Sequence, residues 1–272
     1  MTDLPYKLLA LDLDGTLITD DLVIVPEAKA AIAAAIERGV VVTLATGRMF
    51  RSAVQFAREL ELSAPLICYQ GAMVRHSITG ETIFHLPIQY ELARRFIELS
   101  HAHHYHVHTY VDDHLCVATL NKEAMYYAEL ARVEPEVVGD LLQFIDRPER
   151  APTKLVIVTE EQETLTALNT MQAAFKDELY VTRSHPLFTE AVDPKCSKGA
   201  ALEALAKSLD IPREQVIAVG DNLNDLPMLE WAGLGVAVAN STPGVKEKAR
   251  FVTERPIAQG VVEVIQRFIL NT

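Results

Sequence analysis

Apolar positions along this chain follow two alternating rhythms. Lys7–Leu13 (KLLALDL) is an apolar run with little alternation, as in a strand buried on both faces of a parallel sheet. Pro26–Arg38 predicts a helix, because Pro26 suits the first helical position and Gly39 suits the stop. Val40–Ala45 predicts a second buried strand. Met49–Leu60 predicts a second helix, with Phe50, Ala53, Val54, Ala57 and Leu60 on one side, and Pro65–Tyr69 a third strand. This is a βαβαβ unit. The rhythm returns near the C-terminus, with a helix over Ser197–Leu209 and a strand over Gln215–Val219. A short helix over Asp225–Trp231, a strand over Gly235–Val238 and a closing helix over Ile257–Ile269 follow.

The middle of the chain reads differently. Met73–Pro87 predicts a hairpin turning at Thr79-Gly80, and Tyr90–His103 a helix. His106–Thr119 predicts a strand pair turning near Asp112-Asp113, and Asn121–Arg132 another helix. Lys154–Thr159, the helix Glu161–Phe175 and the strands Leu179–Arg183 and Leu187–Val192 complete the stretch. The fold class predicted is α/β: a Rossmann-like, doubly wound parallel sheet core over 1–83 and 191–272, with an inserted α+β domain over 84–190.

A length of 272 residues agrees with about two domains. Apolar residues at 49% and charged residues at 23% exclude a disordered chain. A net charge of -12 argues against nucleic-acid and membrane-surface partners, which select clustered Lys and Arg. A small anionic substrate stays open, provided something local inverts the field. The polar opening Met1–Tyr6 and the interruption at Asp12 do not read as a signal peptide, and no apolar run reaches the ~18 residues of a membrane helix. Cys68, Cys116 and Cys196 are odd in number and widely separated, which points to free thiols in a reducing, cytoplasmic setting.

In open α/β sheets, ligands gather at the carboxyl ends of the strands. Here those ends carry Asp12-Leu13-Asp14-Gly15-Thr16, then Thr46-Gly47-Arg48, then Gly220-Asp221 followed by Asn222, Asn224 and Asp225. Ser197-Lys198-Gly199 opens the intervening helix. Each piece alone has an ordinary reading. A strand-end Asp or Thr46 could cap a helix, and Lys198 could be a solvated lysine at a helix start. Asp12 and Asp14 are harder to explain that way, because two positions apart on an apolar strand they share a face. Burying two carboxylates together is costly unless a cation or a shared proton offsets the repulsion, and adding Asp221 and Asp225 makes a divalent metal the economical solution. An all-oxygen, carboxylate-rich donor set with room for water favours Mg²⁺ over zinc.

DLDGT at 12–16, ATGR at 45–48, SKG at 197–199 and GDNLND at 220–225 resemble the four ordered motifs of the haloacid dehalogenase superfamily. The inserted domain resembles the C2-type cap of the Cof-like hydrolases, subclass IIB. The resemblance implies a Mg²⁺-dependent phosphatase for small phosphorylated metabolites, including sugar phosphates. Asp12 matches the nucleophile and Asp14 the general acid/base. Thr46 matches a hydroxyl that holds a phosphate oxygen, beside the Leu13 and Gly47 positions that also contact phosphate. Lys198 matches the motif III cation. Asp221 matches a metal ligand together with Asp12 and the Asp14 carbonyl. Asn224 matches a phosphate-binding position, and Asp225 supports the acidic motif from behind. A mobile cap would close over the substrate, with Asp112, Asp113 and His185 near its loop tips as candidate specificity contacts. The sequence leaves the oligomeric state open.

One position departs from the pattern. Many Cof-like relatives read Asn-Gly-Ala after the third strand, and here it is Gln70-Gly71-Ala72; Gln is a methylene longer, so a contact made there by Asn would shift. Two other readings remain: a phosphomutase or phosphotransferase on the same core, and a catalytically idle binding scaffold. The run HAHHYHVH at 101–108 holds five histidines but straddles a predicted helix end and strand start, which suits a cap surface or a substrate-facing edge better than a zinc site. Cys196 and Trp231 read as packing residues, and Gly233-Leu234-Gly235 as a loop rather than a dinucleotide fingerprint.

Overall fold

A computed structural model describes residues 5–19 and 21–271. The chain opens with β1 (Leu8–Leu11), α1 (Pro26–Glu37), β2 (Val41–Leu44), α2 (Phe50–Glu59) and β3 (Pro65–Cys68). Then come β4 (Met73–His76), β5 (Thr82–His85), α3 (Tyr90–Ala102), β6 (His106–Val111), β7 (His114–Val117) and α4 (Lys122–Ala131). β8 (Pro135–Val137), α5 (Leu141–Ile145), β9 (Lys154–Val158), α6 (Glu161–Phe175), β10 (Tyr180–His185) and β11 (Phe188–Val192) follow. The chain closes with α7 (Lys198–Ser208), β12 (Val216–Gly220), α8 (Leu226–Trp231), β13 (Leu234–Ala237), α9 (Pro243–Lys248), β14 (Phe251–Val252) and α10 (Ile257–Ile265).

These elements form two compact units. The first takes Met1–Thr46, Ala53–Ile83 and Ser197–Thr272, and holds a five-stranded parallel sheet in the order β14-β13-β12-β1-β2. β1 is buried along its whole length, as its unbroken apolar run requires of a central strand. Leu8 and Ala10 pack with Leu202 and Leu205 of α7 and Met228 of α8. Alternation turns Leu9 and Leu11 to the opposite face. α1 begins at Pro26 and gives way to Gly39 at φ +88°, so proline opens it and a left-handed glycine follows it.

β3 does not extend this sheet as the sequence suggested. It opens a three-stranded sheet β3-β4-β5 and meets β2 through the single bridge Ala45–Ile67. Pro65 has no N–H to give a ladder, and the Thr43 hydroxyl takes its carbonyl at 2.6 Å. The Gly233-Leu234-Gly235 stretch is no loop either, since β13 starts inside it. A Cβ on Gly235 would lie 2.0 Å from the Leu229 carbonyl, so glycine there lets α8 sit close against the strand.

The second unit takes Gly47–Ser52 and Phe84–Cys196. Its sheet runs β10-β11-β9-β6-β7-β8, antiparallel except for β7 with β8. Phe96 and Ile97 of α3 and Met171 and Phe175 of α6 cover the face bearing Val107, Leu155 and Ile157. The other face carries His108, Tyr110, Lys154 and Glu190, with Tyr127 of α4 edge-on to His108. Lys154 is buried with its ammonium 3.0 Å from Glu190. Sequence reading gave residues 47–52 and 191–196 to the core, and the local bonding explains the difference. β11 stays paired to β10 through Val192, and 47–52 is held by this unit's own groups. Lys154 donates to the Gly47 carbonyl, Asp113 accepts the Phe50 and Arg51 N–H groups, and the Ser52 hydroxyl donates to the Ala131 carbonyl. Among the described residues, no helix is long and apolar enough to cross a membrane, and the three cysteines are buried and form no disulfide.

Candidate active site

β1 and β12 lie side by side, yet the chain winds outward from them in opposite directions, to β2 on one side and to β13 and β14 on the other. That reversal opens a crevice at the strands' carboxyl ends. The register Leu11–Val219 sets Asp12 and Asp221 just past the paired strands, and the Asp12 N–H donates to the Val219 carbonyl at 3.0 Å. Lys198 enters at the first position of α7, where the Ser197 side chain caps the helix by accepting from the Ala200 N–H at 3.0 Å. Its ammonium donates to Asp12 Oδ1 and to Asp225 Oδ1, both at 2.6 Å. Carboxylate oxygens of Asp12, Asp221 and Asp225 all lie within 4.8 Å of one another.

One ammonium faces three clustered carboxylates, and the protonation equilibria reflect the excess. Burial would drive the Lys198 proton off, but Asp12 and Asp225 more than reverse this and keep it charged. Burial, then the neighbouring Asp225, hold the Asp12 carboxyl well above the usual carboxylate range despite Lys198. Asp221 is pushed up to about 6 by burial and then by Asp225, against the opposing Thr16 hydroxyl, which donates to its Oδ1 at 3.0 Å. Two like charges at such a separation repel by on the order of 3 kcal/mol at an effective dielectric of about 20. A single neutral hydrogen bond returns only about 1 kcal/mol. The cluster therefore fits a hard divalent cation: its donors are all oxygen, and its excess charge is what a cation would neutralise. Asp225 is committed elsewhere. Its Oδ2 accepts the N–H groups of Asp221 and Asn222 at 3.0 Å each, and its Oδ1 holds Lys198. That leaves Asp12 and Asp221 as the carboxylates with capacity for a metal.

A family model described as haloacid dehalogenase-like hydrolase matches residues 9–265. The chain belongs to the haloacid dehalogenase-like hydrolases. The pyridoxal phosphate phosphatase YbhA of Escherichia coli is 30% identical over 97% of this chain and 98% of its own length. The 5-amino-6-(5-phospho-D-ribitylamino)uracil phosphatase YcsE of Bacillus subtilis is 30% identical over 98% of both. A solved haloacid dehalogenase-like hydrolase from Bacteroides thetaiotaomicron superposes with a TM-score of 0.86 at 28% identity, covering 96% of this chain and 99% of that one. Solved structures of a HAD/Cof-like hydrolase from Plasmodium vivax and of a subclass IIB sugar phosphatase share this fold, with TM-scores of 0.88 and 0.81 at 24% and 20% identity.

The remaining predicted residues fall around the cluster in different ways. Asp14 is exposed where Asp12 is buried, and its charge adds to the pressure on the Asp12 carboxyl. Leu13 is fully buried, and its carbonyl accepts from the Thr16, Leu17 and Ile18 N–H groups, forming the turn that follows Asp12. Thr46 is fully buried, with its N–H on the Ile67 carbonyl. Asn224 donates to Gln70 Oε1 at 3.1 Å. Gly47 lies in the second unit. Of the suggested specificity contacts, Asp113 is buried and its two carboxylate oxygens serve the start of α2, so it is committed to structure. His185 stacks on Phe188, and its Nδ1 accepts from the Leu187 N–H. The histidine run divides: His101, His104 and His106 help line a pocket of about 480 Å³ in the inserted unit, and His108 is buried in the sheet.

Sequence reading missed three supports of this hydrolase's site. The Thr16 hydroxyl steadies Asp221. The Asn240 amide donates to the Gly15 carbonyl at 2.8 Å, and the Ser241 hydroxyl donates to the Gly220 carbonyl at 3.2 Å. Asn240 and Ser241 follow β13 at its carboxyl end, so the strand-end rule, carried one strand further, would have found them. Gly15 is fixed twice over: its φ is +83°, and a Cβ there would lie 2.7 Å from Asp221 Oδ2.

Proposed function

We propose that this hydrolase is a Mg²⁺-dependent phosphatase acting on phosphate monoesters of small metabolites through an aspartyl-phosphate on Asp12. The observation that supports it most is the Lys198 ammonium placed 2.6 Å from a buried Asp12 carboxylate inside an acidic cluster that fits a cation. A carboxylate so held is a fixed nucleophile; Lys198 offsets part of the charge that would keep a phosphate away, and a cation in the cluster would offset the rest.

Asp12 Oδ attacks phosphorus in line as the ester oxygen departs, and Asp14 gives that oxygen its proton. Asp14 is exposed, so it can serve both the leaving alcohol and the entering water. It then takes a proton from water, which attacks the phosphorus of the acyl phosphate, releases inorganic phosphate and restores Asp12. Lys198 stays charged and holds Asp12 in place throughout. Thr46, the Leu13 backbone and Asn224 orient the phosphoryl oxygens. A magnesium ion held by Asp12, Asp221 and the Asp14 carbonyl would supply neutralisation of the phosphoryl charge. Two relatives of equal identity are named for phosphate esters of unrelated alcohols, which supports a substrate class rather than one ester.

Purified chain with Mg²⁺ and para-nitrophenyl phosphate should release inorganic phosphate with no acceptor present. A chelator should stop release, and added Mg²⁺ should restore it. Release that required a sugar acceptor would make the protein a transferase. No turnover across a panel of phosphorylated metabolites would overturn the reading.

A further inference from the structure

We propose that Gln70 is a positioning residue that holds Asn224 for phosphate and braces the segments around it. The proposal rests on the phosphatase reading for the role of Asn224 and goes beyond it in giving Gln70 a part. After β3 the chain passes through three consecutive left-handed residues: Tyr69 at φ 53°, Gln70 at 60° and Gly71 at 99°. Such a run persists only where surrounding contacts over-determine it. Here they do. Tyr69 and Gln70 are buried, and the Gln70 N–H donates to the Thr46 carbonyl at 3.1 Å. Gly71 packs so tightly that a Cβ would lie 2.3 Å from the carbonyl of Ser197, the residue before Lys198. From that backbone the Gln70 side chain reaches Asn224 at 3.1 Å.

One turn thus touches the segments bearing Thr46, Lys198 and Asn224, and Gln70 supplies two of those ties. Asn224 sits in a single helical turn between an exposed Leu223 and the fully buried Asp225. An amide fixed in one rotamer meets a phosphate oxygen without losing rotational freedom on binding. A side chain one methylene shorter falls short of Asn224 from the same backbone. Two neutral amides also add no further charge to a site already rich in carboxylates.

Gln70→Asn is the informative variant, because Asn tolerates the left-handed conformation and the fold should hold. Its thermal midpoint should match that of the unmodified chain. KM for para-nitrophenyl phosphate and the inhibition constant of inorganic phosphate should each rise about three- to tenfold, the range one hydrogen bond accounts for, with kcat within about twofold. Gln70→Asn combined with Asn224→Ala should bind phosphate no more weakly than Asn224→Ala alone. Independently of turnover, inorganic phosphate with Mg²⁺ should raise the thermal midpoint of the unmodified chain more than that of Gln70→Asn. Turnover is the test of the phosphatase reading, and phosphate protection is the test of Gln70. Equal protection of the two proteins, no protection of either, or losses that multiply in the double variant would each overturn the proposal.

Discussion

Lys198 does two jobs that a single substitution would expose. It places Asp12, and it is the only side-chain cation that Asp12 and Asp225 contact among the described residues. Lys198→Met keeps the apolar bulk and removes the charge, leaving two buried carboxylates without their partner. Breaking a buried pair in this way costs about 3–5 kcal/mol. Urea unfolding of the metal-free variant should show a loss of that size, together with loss of turnover. A variant as stable as the unmodified chain would mean that the cluster sheds its charge by taking up protons. Cys196, two residues earlier, offers no competing nucleophile, since burial and then Asp193 push its thiol up to about 12.

At the level of elements, legibility followed how local the signal was. β1, α1, α4 and α6 announce themselves through unbroken apolar runs, Pro26, Asn121 as a side-chain cap, and helical spacing. Turn residues marked the β6–β7 hairpin, where Asp112 and Asp113 take φ of 50° and 61°. By contrast β8, α5, α9 and β14 were unread, being between two and six residues long and too short for a period to show. The placement of β3 was illegible for another reason, because it turned on one proline and one threonine hydroxyl rather than on a pattern. The acidic residues of the site were legible because they stand at strand ends in fixed order. Gln70 as partner of Asn224 was not, since a contact between side chains 154 positions apart leaves no local trace. Asp113 gives a test at this scale. Its carboxylate accepts two N–H groups at the start of α2, so Asp113→Ala should cost about 1–2 kcal/mol in stability. Chemical denaturation measures it; an unchanged midpoint would show that water replaces the cap at no cost.

Across the whole molecule the net charge is -12, and the carboxylates of Asp12, Asp221 and Asp225 are the part of it gathered at the site. Asp221 titrates near 6 in the folded metal-free chain, above the ordinary carboxylate value. The folded state therefore binds this proton more tightly than the unfolded state does. That contribution to stability is present at low pH and is lost as pH rises through about 6. A cation reverses the sign by favouring the ionised cluster. Saturating Mg²⁺ should raise the thermal midpoint by roughly 5–10 °C near neutral pH. The increment should shrink as pH falls below about 6. A midpoint shift independent of pH would place the ion away from Asp221.

The proposed reaction puts the phosphoryl group on Asp12. Acid quench of the protein during turnover of a phosphorylated substrate with Mg²⁺, followed by peptide mass spectrometry, tests this most directly. Phosphate should appear on the peptide containing Asp12 and not on the same peptide of Asp12→Asn, which should also lose turnover by about a thousandfold or more. Steady turnover by Asp12→Asn, or phosphate mapped to any other residue, would contradict it.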